Sequence, residues 1–227
     1  MYSLELFNRI EKTIPHQTVL PDDVGQLLTS LAEQLGLHTH STKRTVVLLG
    51  LLNKLSAETY KEIATQIDLI LTEAAYASLY EVVSSNLFYS QLYATLCRYL
   101  LRHHPTLKAF LAAKAAEFNL KTVTESNRTK TLFFTNLSLL EVLEPGLCIV
   151  IAESLHSHIT GHWDDVDYKE QIAEWTEHLV IVVSSKPPVF VQLKPKFTAV
   201  AKCSPKEHVA LTNRAIFRYE DMLDILK

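Results

Sequence analysis

The chain has 227 residues and a formal net charge of −3, which excludes the broad basic footprint of a non-specific nucleic-acid binder. Glycine occurs only 5 times, well under the ~7% of average usage, so the composition points to an all-α architecture with short corners. Cys97, Cys148 and Cys203 are odd in number and far apart, which suits reduced, buried thiols of a cytosolic or nuclear protein better than disulfides, and a cytoplasmic location is expected. The apolar runs are too short and interrupted to span a membrane, and the N-terminus lacks the basic region and apolar block of a secretory leader.

Residues 1–40 read as a helical extension or cap. Leu4, Leu6, Phe7 and Ile10 suit a short amphipathic helix before Pro15. Pro21, followed by Asp22 and Asp23, opens a clearer helix whose apolar positions Val24, Leu27, Leu28, Leu31 and Leu35 keep a 3.6 period up to Gly36. Thr42–Leu55 and Ser56–Leu71 follow as a helical pair, with a tight corner at Asn53, Lys54 and Leu55. Ser56 is placed to cap the second helix, and Glu58 faces the positive end of its dipole. Such a pair cannot bury its own apolar face and asks for further pairs stacked on it, as in a solenoid.

Further helices are expected at Glu73–Ser84, at Leu87–Arg102 (broken by Pro105) and at the alanine-rich Thr106–Phe118. Lys121–Lys130 reads as a polar connection to an apolar helix, Thr131–Leu143, which ends at Glu144, Pro145 and Gly146. Leu147–Ile159 is the next helix, with a loop over Thr160–Asp167. Tyr168–Val183 ends in HLVIVV, a run with strand character that the preceding periodicity assigns to helix. Lys186, Pro187 and Pro188 break the chain, and Pro195 is expected to kink or split Val189–Lys202. Ser204, Pro205 and Glu207 form a capping-box pattern that predicts a final helix running from there to the C-terminus. In all, about ten helices are expected.

No constellation of a catalyst emerges. His156, His158 and His162, with Asp164 and Asp165 behind them, are expected on different faces of their helix, because positions two apart point away from each other. Cys97 with His103 and His104 lacks a second nearby cysteine, so no metal site is expected. A glycine-rich phosphate loop and a nucleophile elbow are both missing from the sequence, and neither enzymatic activity nor a cofactor is expected.

Five stretches nonetheless share one pattern. LLNKLSAETYKEI, FYSQLYATLCRYL, KAAEF, NRTKTLFFTNLSLLEVLEPGL and TNRAIFRYEDMLDILK resemble, in register and order from about Thr42 to Lys227, successive signatures of the middle domain of eukaryotic translation initiation factor 4G. The resemblance implies a crescent over residues 41–227 of about five HEAT-type antiparallel helix pairs. It implies a scaffold that binds and stimulates a DEAD-box RNA helicase of the initiation factor 4A type, alongside other initiation factors and mRNA. Leu52, Asn53, Lys54 and Leu55 would grip one helicase lobe, and Arg214 and Arg218 on the final helix the other. The basic cluster of the family is reduced here to Lys121, Arg128 and Lys130, so direct RNA binding is expected to be weak. A monomer is expected. Similar middle domains serve mRNA decay, deadenylation and splicing, and that alternative stays open on the sequence.

Overall fold

A computed structural model describes residues 73–84, 87, 90–101, 105–122 and 124–227. These residues are helical, with no strand among them, and they fall in two compact units. The corner at Leu52, Asn53, Lys54 and Leu55, the extension over residues 1–40 and the pair Thr42–Leu55 and Ser56–Leu71 lie outside the described residues.

The first unit contains α1 (Glu73–Ser84), α2 (Ser90–Leu101) and α3 (Thr106–Glu117), with α3 packing on both α1 and α2. Its buried side chains include Tyr76, Val83, Tyr93, Cys97, Leu107 and Leu111. Tyr76 lies against Phe110 with ring centroids 5.8 Å apart, and its hydroxyl is 3.3 Å from that of Thr106.

The second unit, Phe118–Leu139 with Glu144–Lys227, contains α4 (Glu125–Leu139), α5 (Leu147–His162), α6 (Lys169–Ser185), α7 (Lys194–Ala201) and α8 (Asn213–Ile225). Its centre is α6, which packs on α4, α5 and α8 and buries Ile172, Trp175, Leu179, Val182 and Val183. HLVIVV is helical, as its periodicity required, because both faces of that run are covered. Each fully buried side chain of this size contributes about 1.5–3 kcal/mol of transfer free energy. Lys186, just before Pro187, leaves the helical region with φ −156° and ψ 78°, which ends α6. The expected break at Pro195 is a split: a 3-10 segment, Pro187–Leu193, gives way to α7, with Pro195 in its first turn, where a missing N–H costs nothing.

Two expectations are corrected. The helix predicted at Thr131–Leu143 starts earlier, at Glu125, inside the polar stretch, and ends earlier, at Leu139. The Thr124 hydroxyl accepts from the Asn127 amide at 3.1 Å, and the Asn127 side chain donates to the carbonyls of Asn119 and Thr122, so local polar groups close this helix start. The Ser204 capping box does form, with the Glu207 carboxylate accepting from the Ser204 amide at 2.7 Å, but only a turn follows. The chain is drawn away there, because the Ala210 amide donates to the Trp163 carbonyl at 2.8 Å and His208 stacks on Trp163 at 3.8 Å. The His208 ring is also 2.8 Å from the Asp164 carboxylate. The last helix begins instead at Asn213, capped by the Thr212 hydroxyl, which accepts from the Ala215 amide at 3.1 Å.

Candidate functional site

The exposed face of α8 is the part of the described chain that best suits recognition. Ala215, Ile216, Tyr219, Met222 and Leu226 turn inward, where Tyr219 packs edge-on against Phe197 of α7 with centroids 5.6 Å apart. The 3.6 period then sends Arg214, Phe217, Glu220, Asp221 and Asp224 to solvent, with Arg218 half-exposed at the edge. Phe217 is 61% exposed between the two arginines.

Both arginines converge on one carboxylate. Glu177 of α6, with only 16% of its side chain exposed, accepts through Oε1 from Arg214 Nη2 at 2.8 Å and from Arg218 Nε at 3.0 Å. Arg218 Nη1 also donates to Asp221 at 3.0 Å. Burial works against ionisation of Glu177, but the hydrogen bonds and charges of Arg218 and Arg214 outweigh it and hold the carboxyl below the usual range. The guanidinium groups are therefore oriented before any partner arrives, and less side-chain entropy is left to lose on docking. Arg214, 68% exposed, keeps most of its guanidinium in reach of solvent.

The three residues of the predicted basic trio differ in their settings. Lys121 is exposed beyond the end of α3, whereas Arg128 of α4 is tied to Glu174 of α6 in a part-buried ion pair. Lys130 is half-buried on α4. Arg128 thus ties α4 to α6. The histidine reading also needs correction. His158 and His162 are one helical turn apart and share a face of α5, where His158 lies 5.5 Å from Trp175 and His162 stacks on Tyr168 at 4.1 Å. Among the described residues no group of three or more His, Cys, Asp or Glu could hold a metal ion. Cys97, Cys148 and Cys203 are free, and burial pushes the Cys97 thiol up to about 12, far from a reactive thiolate.

In the first unit an open groove of about 560 Å³ runs between α1 and α3, floored by Tyr76 and Phe110 and rimmed by the Lys114–Glu117 pair at 2.9 Å. No described helix is long and apolar enough to cross a membrane. Comparison with models of protein families finds no match, and no similar protein is found among curated proteins or solved structures. The site rests on its own geometry. Glu177 and Glu174 are the functional candidates that sequence reasoning passed over. Their partners lie 37 to 46 residues away along the chain, so nothing local marks them.

Proposed function

We propose that this chain is a non-enzymatic scaffold of translation initiation that binds and stimulates a DEAD-box RNA helicase of the initiation factor 4A type. The reading draws on the ordered sequence resemblance from Thr42 to Lys227 and on a solenoid of HEAT-type helix pairs that this resemblance implies. One observation carries it furthest: Arg214 and Arg218 stand oriented by Glu177 on the exposed face of the last helix, beside Phe217. A scaffold of this kind acts through its differential affinity for one arrangement of the helicase lobes, and the second contact point is the corner at Leu52, Asn53, Lys54 and Leu55. With Arg128 paired to Glu174, mRNA and other initiation factors are secondary partners in this reading.

The test is calorimetric titration with a DEAD-box helicase of this type, beside a melting curve for each variant. Lys54→Glu and Arg214→Ala should each weaken binding, and the double variant more than either, because two linked contacts raise the effective concentration of each other. Glu177→Gln, which loosens the arginines without deleting them, should weaken binding less. Unchanged affinity in Lys54→Glu and Arg214→Ala, with normal melting, removes the two-ended grip. Capture of a deadenylation or splicing helicase in its place would move the chain to the alternative pathway.

A further inference from the structure

Three imidazoles sit at helix joints of the second unit, one buried and two half-buried. His178 of α6 is 1% exposed, and neither of its ring nitrogens has a hydrogen-bond partner. The charged groups at hand are Arg128 from α4 and Glu174 of its own helix, already joined to each other. Gln171 Oε1, Trp175 Nε1 and Arg128 Nε are likewise buried without partners. Gln171, Trp175 and His178 recur at i, i+4 and i+7, so this unsatisfied polarity forms a single stripe along α6.

A second imidazole, His158 of α5, lies against Trp175 of α6, with Lys121 and His162 as the ionisable groups around it. The third, His156 of α5, is held between α7 and α8. Its ring is 5.9 Å from that of Phe197, its Nδ1 is 3.1 Å from the Tyr219 hydroxyl, and Lys196 and Glu153, paired at 2.6 Å, flank it. Each ring is poorly placed to carry a charge. A charge on buried His178 would have no hydrogen-bond acceptor, which is costly, and Lys196, Lys121 and Arg128 oppose a charge on His156, His158 and His178 respectively.

We propose that the second unit is an acid-sensitive module, in which proton uptake at His156, His158 and His178 loosens the packing of α4, α7 and α8 on α5 and α6. Burial lowers all three below the ordinary imidazole value of 6.5, with Lys196, Lys121 and Arg128 adding to the effect, and His178 falls to about 4. The unfolded chain therefore holds more protons than the folded one from about pH 6.5 down to the folded values. The stability is whole above about pH 6.5 and is lost as the pH falls through 6.5 toward the folded values. Each proton taken up on unfolding changes the unfolding constant by about tenfold per pH unit, and His178 alone supplies that slope between about pH 6.5 and about 4.

The experiment is proton uptake by the full chain on unfolding in urea at pH 6.0, read in two buffers of different ionisation enthalpy. At that pH an unfolded imidazole is about three quarters protonated, so His178 alone should contribute about three quarters of a proton, and His156 and His158 should add to it. His178→Leu should lower the uptake by about three quarters of a proton. His178→Gln takes its place if the leucine variant does not fold. Uptake by the natural chain below about half a proton, or uptake unaltered in a folded His178 variant, overturns the proposal. The outcome does not depend on the helicase reading.

Discussion

Helix α3 takes five of its twelve residues as alanine and buries only Leu107 and Leu111, whereas α6 buries seven side chains, among them Trp175, Leu179 and Val183. The two stay helical for different reasons. In α3 most of the stabilisation is intrinsic, because alanine loses no side-chain entropy and gives the backbone its best propensity. In α6 the valines and isoleucine of LVIVV oppose the helix locally, and burial against α4, α5 and α8 overrides them. A run with strand character can thus sit at the centre of a helical unit, while a strong helix former stays helical with few buried side chains.

The contrast can be broken by substitution. The largest effect is expected for Leu179→Ala, fully buried in α6, at about 2–5 kcal/mol, followed by urea unfolding through the fluorescence of the adjoining buried Trp175. A loss under about 1 kcal/mol would mean that α6 is not held by packing. Ala112→Gly on the exposed side of α3 should cost about 1 kcal/mol, seen as roughly fivefold faster hydrogen exchange of α3 amides. If exchange there is unaltered, propensity is not what holds α3. Smallest of all, Lys114→Ala should cost only about 0.3–0.5 kcal/mol by the same exchange measurement, because the Lys114–Glu117 pair lies i, i+3 on an exposed surface.

Legibility in the sequence followed the same division. Glu73–Ser84 is found with the bounds expected, and the alanine-rich helix differs by one residue at its end, since local propensity and capping decide both. Pro187 and Pro195 act where the chain chemistry says they must. The start of α8 was misread because the Ser204 box is a sound local signal overruled from a distance, by the Trp163 carbonyl taking the Ala210 amide. The site divided likewise. Arg214 and Arg218 are singled out by the family resemblance alone, and their convergence on Glu177 is a long-range fact with no local trace. The pairing of Arg128 with Glu174 likewise has no local trace.

The tie between Trp163 and the segment before α8 also bears on how the chain can be cut or rejoined. A backbone hydrogen bond, a ring stack and the His208–Asp164 contact fasten residues 208–210 to the end of α5 without help from the peptide bonds on either side. Lys202 and Lys206 are exposed just upstream, so a nick after Lys206 would leave α8 anchored by this clasp and by its own buried face. The segment between α7 and Ala210 is therefore a place where the protein can be opened, and new termini or an inserted domain accommodated, while the two pieces remain one particle.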